Sequence, residues 1–284
     1  MYLWLWWEGV LKVKTDLKTN LKSIWARAYV RIVGANREPS WILSETVLPL
    51  LNTAAFVYVY KALNAPEEYI GFVILGGAMT AYWMNVLWSM ASQFYWEKEM
   101  GNLELYLIAP ISRMSILLGM AIGGIFYATL RAVVVFVFGS LLFRVNFFIS
   151  GIVELFLIFI LTMIALYGMG MFFASMFMLW GREAWHTSNL FQEPIYLLGG
   201  FFFPVKTLGY TLAMFASAIP ISLGLDGMRQ LCFKTGKTLG FLDVKIEILL
   251  LLGLSIFYIW ISHYALLFME NLGKKQGRLT LKWQ

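Results

Sequence analysis

An all-α integral membrane fold with six transmembrane helices is what this sequence predicts, and three observations carry the prediction. Of 284 residues, 60% are hydrophobic and only 13% are charged; a soluble domain carries roughly 25% charged residues. The apolar runs reach about 20 residues, the length of a helical span and about twice that of a barrel strand. Lys and Arg concentrate in alternate polar segments, as they do when they set the orientation of a membrane protein.

The elements follow in order. Met1 to Trp7 is apolar, has no basic region before it and stops at Glu8, which does not suit a signal peptide. Tyr2, Trp4, Trp6 and Trp7 suit the headgroup layer. Across residues 9–38, Leu11, Leu17, Leu21, Ile24, Trp25, Ala28 and Ile32 recur at near-helical spacing. Lys12, Lys14, Lys18, Lys22, Arg27, Arg31 and Arg37 fill much of the rest. This predicts a basic amphipathic helix lying in the membrane plane as a membrane-surface anchor, with lipid sensing or partner contact as the other reading.

Six spans are expected at 41–61, 69–95, 114–143, 149–179, 185–203 and 246–269. The second is near 40 Å long at about 1.5 Å per residue and should project beyond the hydrocarbon. Between the last two spans, residues 204–245 are too apolar for a solvated loop and are broken by Pro204, Gly209, Pro220, Gly224, Gly227 and Gly236. Two short half-inserted helices are expected there, over 207–218 and 221–233, shielded by protein or facing water.

Three segments result: an interfacial helix over 1–40, a six-span domain over 41–270 and a tail over 271–284. With both termini in the cytoplasm, the inner segments hold 14 of the 22 basic residues, Lys98, Arg113, Arg182, Lys274, Lys275, Arg278 and Lys282 among them. Trp41, Trp96, Trp180 and Trp185 then share the inner interface. The expected location is the cell membrane, multi-pass. The net charge of +6 sits beside spans rather than on a polar domain, so it speaks for topology and membrane lipid, and against nucleic acid.

A short charged segment, Trp96 to Arg113, lies between two of the long apolar runs. Gly101 permits a sharp entry and Pro110 ends a helix. Leu103, Leu107 and Ile108 form an expected apolar stripe, with Glu97, Glu99 and Glu104 toward water. By pattern alone, a structural loop and a docking helix both fit.

Glu97-x-Glu99-x-Gly101-x-Leu103-Glu104, then Ala109-Pro110-Ile111-Ser112-Arg113 and Leu117-Leu118-Gly119, resembles the signature of type-2 ABC exporter permeases. Pro194, Leu198 to Val205, Ile219-Pro220 and Asp226-Gly227-Met228-Arg229 resemble that family's fifth span, outer re-entrant helices and closing motif. The resemblance implies a permease subunit of a family whose cargoes include drugs, lipids, glycans and sodium; the apolar, aromatic spans favour an amphipathic or lipid-like cargo over a small ion. The resemblance also implies a separate ABC ATPase, in two copies, that holds ATP and magnesium, and a second permease subunit, identical or different. It assigns coupling to the ATPase to Glu97, Glu99, Gly101, Leu103, Glu104, Pro110 and Arg113. No cofactor is expected in this chain itself.

Asn85, Ser89, Ser92 and Gln93 share one face of the second span, and His186, Asn189, Gln192 and Glu193 one stripe of the fifth. Such groups are costly in hydrocarbon unless they face protein or water. Interhelical hydrogen bonding and the wall of a translocation path are the two readings, with Asn85, Ser89, Gln93, Asn189, Gln192 and Glu193 as path candidates. Intramembrane Arg131 has Glu193 and Glu154 as possible ion-pair partners.

Other chemistry finds little support. Thr235-Gly236-Lys237-Thr238 resembles the tail of a phosphate loop, but Leu231 stands where the leading glycine belongs. His186 and His263 have no metal-site spacing, so no metal site is expected, and Cys232 is the only cysteine. No nucleophile stands with a base, so no catalytic residue is assigned. Gly119-x-x-x-Gly123 reads as a close-packing motif. The alternative to an ATP-driven exporter is a secondary transporter or channel that runs without ATP.

Overall fold

The computed structural model describes residues 16–35, 39–180 and 183–276. Tyr2, Trp4, Trp6, Trp7, Arg37, Arg182 and the tail beyond 276 lie outside them, as do the side chains of Trp41, Glu104, Leu107, Trp180, Trp185 and Asn189. Among the described residues every regular element is helical. In chain order they are α1 Leu17–Ala35, α2 Pro39–Ala62 and α3 Glu67–Met84, which runs through a π-helical stretch, Asn85–Ala91, into α4 Gln93–Glu99. Then come α5 Asn102–Ile108, α6 Arg113–Phe143, α7 Ile152–Trp180 and α8 Glu183–Leu198. The short α9 Tyr210–Ala216, α10 Pro220–Cys232 and α11 Gly236–Leu239 precede the long α12 Val244–Gln276.

Among the described residues four helical stretches are long and apolar enough to cross a bilayer: Glu67–Glu99, Arg113–Phe143, Ile152–Met178 and Val244–Gln276. The pair α9 and α10, bent by 110°, makes a fifth if counted as one broken span. Two of the six expected spans, the first and the fifth, are not in this set. The expected fifth span falls on α8, which has 16 residues, or about 24 Å of helix against a hydrocarbon layer of about 30 Å. It is also weakly apolar, carrying Glu183, His186, Asn189, Gln192 and Glu193. The expected first span coincides with α2. The two short helices expected after α8 are present as α9 and α10, with Pro220 in the first turn of α10, where a missing N–H removes no bond.

Glu67–Glu99 is the central pillar, with 94% of its most apolar stretch buried, against 17% for Val244–Gln276. It packs along α6, with α2 against its first half and α7 against its π-helical stretch. α12 runs along α7, α10 packs on α7, and α1 packs along the first half of α6. The outward face of α12 shows Leu249, Ile256, Phe257, Trp260, Tyr264 and Phe268, all exposed. A continuous apolar face of this size is rare on a water-facing monomer and suits lipid or another subunit.

Candidate functional site

The charged segment and α1 form one junction at the end of the central pillar. α1 presents Asn20, Ile24, Arg27, Ala28 and Arg31 along the face it turns to the rest of the protein. Ala28 is fully buried, while Leu17, Leu21 and Trp25 are exposed. Its polarity is thus partly reversed from expectation: two arginines point inward and much of the apolar stripe points out. The close approach depends on α6. A Cβ at Gly119 would sit 2.6 Å from the Ile24 carbonyl oxygen, and one at Gly123 would sit 2.9 Å from the Arg31 Cβ. The Gly119-x-x-x-Gly123 motif is therefore the groove in which α1 lies.

Glu97 is the hub. It is 3% exposed, so it does not face water as expected. Arg27 forms an ion pair with its Oε1, and Gln93 Nε2 donates to the same oxygen at 2.7 Å. Asn102 Nδ2 donates to Oε2 at 3.0 Å and the Tyr106 hydroxyl at 3.3 Å. A buried carboxylate is tolerated only with donors on both oxygens and a counter-charge, and Glu97 has both. These contacts tie α1, α4 and α5 together. The Arg27 guanidinium also lies 5.7 Å from the centre of the Tyr106 ring. Burial raises the Tyr106 phenol above its ordinary value, with Arg27 opposing and Glu97 adding to the rise.

A second arginine extends the junction into the π-helical stretch. Arg31 donates to Ser89 Oγ and to Gln93 Oε1 at 3.4 Å. Burial pushes its guanidinium down to about 10, so it stays charged at pH 7. At the other end, Ser112 N donates to Asn20 Oδ1 at 2.9 Å, which ties the start of α6 to α1. The next residue, Arg113, pairs with Glu270 at 3.2 Å, and Lys274 pairs with the same carboxylate at 2.6 Å. α12 is thereby joined to the entry of α6.

The remaining residues of the segment divide clearly. Gly101 has φ +79°, a left-handed turn that glycine adopts without strain, and it lets α5 fold back after α4. Leu103 is buried at 2%. Glu99 is half-buried and Pro110 exposed. Met100, Leu105 and Ile108 are 69%, 60% and 80% exposed. The exposed apolar stripe is therefore Met100, Leu105 and Ile108; Leu103, expected in it, instead anchors α5.

Among the expected path residues, Asn85 is buried and accepts from the Tyr167 hydroxyl of α7 at 3.0 Å. Ser89 and Gln93 meet Arg31, as above. Gln192 Oε1 accepts from Trp88 Nε1 at 2.9 Å, which ties α8 to the π-helical stretch. Glu193 is exposed and accepts from Gln192 Nε2 at 3.2 Å. Arg131 lies over the Tyr127 ring at 4.5 Å. π-Helical turns inside α-helices are frequent at functional sites, and this one carries Asn85, Trp88 and Ser89.

Arg229, in the Asp226-Gly227-Met228-Arg229 stretch, is 2% exposed. Its Nη1 donates to the carbonyls of Gly200 at 2.7 Å and Phe203 at 3.0 Å. Its Nη2 donates to those of Phe72 at 3.0 Å and Phe201 at 2.7 Å. One side chain thus pins the chain after α8 to α3 and α10. Thr235, in the phosphate-loop look-alike, has its N–H taken by Glu68 Oε2 at 2.9 Å, so a carboxylate occupies the place a phosphate would need.

The sequence reading missed Asn20, Arg27, Arg31, Tyr106 and Glu270 as site residues. A signal was present for the first three. Residues 20, 24, 27, 28 and 31 fall on one helical face, so the two arginines share a stripe with Ile24 and Ala28.

A family model described as ABC-2 type transporter matches residues 19–233. Comparison with curated proteins gives no match.

Proposed function

The chain belongs to the ABC-2 type transporter family, and from that premise we propose that it is the membrane subunit of an ATP-driven exporter. It is a membrane transport permease. Domains of this family generally work with an ATPase partner. The observation that carries the finer reading is the Glu97 junction. It joins α1, α4 and α5 through one buried carboxylate and leaves Met100, Leu105 and Ile108 as an exposed apolar face beside it.

In this reading a separate ATPase, two copies per complex, docks on that face and holds ATP and magnesium. Glu97, Gly101, Leu103 and Arg113 position the docking helix rather than touch the partner, and Glu99, Glu104 and Pro110 border the contact. Movement of the ATPases is passed through Arg27 and Arg31 to α1 and the π-helical stretch. ATP can shift the permease between inward- and outward-open states only if it binds one of them more tightly.

The same reading places the whole chain in the cell membrane with both termini cytoplasmic. α2 and α8 complete a six-span domain over 41–270, flanked by the interfacial segment 1–40 and the tail 271–284. A second permease subunit, identical or different, packs beside it. Asn85, Ser89, Gln93, Asn189, Gln192 and Glu193 line the route of an amphipathic or lipid-like cargo, which the apolar, aromatic spans favour.

The test is co-purification from native membranes, with Ile108→Glu and Leu105→Glu compared against the unchanged chain. Retention of a stoichiometric ATPase, lost in both variants without loss of thermal stability, is the expected result. A chain that purifies alone with its neighbours co-expressed would shift the reading to a transporter that runs without ATP.

A further inference from the structure

Two carboxyl groups meet in a dry site where α10 packs against the first turn of α12. Glu247 is 0% exposed and Asp226 is 3% exposed. Among the described residues neither oxygen of Glu247 has a hydrogen-bond partner, and its carboxyl faces that of Asp226. Asp226 is better served: its Oδ2 accepts from Phe241 N at 2.7 Å and from Gln230 Nε2 at 3.2 Å. The Glu247 carboxyl also lies against the backbone of α10, since a Cβ at Gly227 would sit 2.5 Å from Oε2. The same Cβ would sit 2.7 Å from Ile158 Cδ1 of α7, so the third wall is apolar.

The charged groups around the pair are few. Arg229 of α10 acts on Asp226 but spends four donated bonds on carbonyls. Asp243, one turn before Glu247, adds negative charge. Lys245 and Asp243 are exposed. Glu154 in the first turn of α7 lies against Gly151. Among the described residues no cation therefore pairs with Glu247. Two ionised carboxylates in contact, one of them without a donor, cost several kcal/mol. One proton between them removes a charge and supplies the missing hydrogen bond, as in carboxyl pairs that share a proton.

We propose that Asp226 and Glu247 form a proton-binding site, and that the shared proton latches the bent α9–α10 pair onto α12. Nothing is oxidised or transferred: the proton comes from water on closing and returns to it on release. Without it the two helices repel, so the closed arrangement is favoured at low pH and the released one at high pH. This inference stands apart from the docking of an ATPase, since it concerns the opposite end of the pillar.

The protein carries its own reporter. Cys232, the last residue of α10, is buried and is the only cysteine. The experiment uses the full chain in lipid nanodiscs and measures the rate at which a maleimide labels Cys232, as a ratio of unchanged protein to Glu247→Gln at each pH. The ratio cancels the thiol's own titration, and the glutamine keeps a donor toward Asp226 at all pH values. The expected ratio is near one at low pH and rises by up to about tenfold per pH unit once the proton is lost, the limit for release of one proton. An infrared pH titration of the unchanged protein should show one protonated carboxyl band that Glu247→Gln removes; Asp226→Asn serves if that variant does not fold. A ratio flat with pH, or the absence of that carboxyl band, would overturn the proposal.

Discussion

Arg27 and Glu97 lie 70 residues apart in sequence and close an ion pair that joins α1 to α4. Glu97 keeps 4% side-chain exposure and Arg27 19%, so the pair is largely dry. Removing one partner of a buried pair leaves the other uncompensated. Arg27→Met is expected to destabilise the protein by about 2–4 kcal/mol, just under the range for fully buried pairs. Thermal unfolding in detergent measures this. The exchanged pair Arg27→Glu with Glu97→Arg should recover part of the loss, and no recovery would show that the other three donors to Glu97 carry the effect.

Gly123→Leu should lift α1 from α6. The added side chain meets the Arg31 Cβ and the Ala28 carbonyl, and overpacking of this kind costs about 1–3 kcal/mol. Limited proteolysis between α1 and α2 should accelerate. Gly253→Ala is the control: nothing lies within 4 Å of its Cβ, and Ala is favoured over Gly in a helix by up to about 1 kcal/mol. Equal effects of the two changes would argue against the groove.

Arg229→Lys should be damaging despite the retained charge. The ammonium has three donors without the planar fork that serves four carbonyls at once. At least one buried carbonyl is then unpaired, at about 1–3 kcal/mol, and Arg229→Met should cost more. A stability equal to the unchanged protein in Arg229→Lys would mean that water replaces the fork.

The Tyr106 phenol gives a pH dependence with a definite sign. Its folded value lies above the ordinary 10.0 because burial disfavours the phenolate. Its contribution is therefore fully present below pH 10 and is lost as pH rises through the folded value, where the phenolate would also face Glu97. Unfolding temperature should fall in that alkaline window, and Tyr106→Phe should flatten the fall. An identical alkaline profile in the variant would assign it to other groups.

How much of this was legible in the sequence depended on the range of the interaction. The apolar runs give the long helices because a span must bury its own backbone bonds, and Pro220 and the glycines around it mark the bent pair. Gly101 and Pro110 bracket α5 through local backbone preference alone. The inward turn of Arg27 and Arg31 was not legible. A lone amphipathic helix offers lipid or protein as its apolar partner, and only the distant Glu97, Ser89 and Gln93 decide which face turns in. Leu103 and Leu105 differ by two residues on one short helix, and periodicity over seven residues does not say which contacts the core. The pairing of Asp226 with Glu247 depends on how α10 meets α12, which no local pattern encodes.

The 70-residue separation within the Arg27–Glu97 pair also sets an order of events in biogenesis. Synthesis runs from the N-terminus, so α1 is complete before Ser89, Gln93 and Glu97 exist. Until they arrive its two inward guanidiniums lack these partners. The mature contact is thus completed only when the chain has been made as far as Glu97. A nascent chain arrested before Gln93 should hold α1 in a salt-extractable state, and one arrested after α6 should hold it against salt.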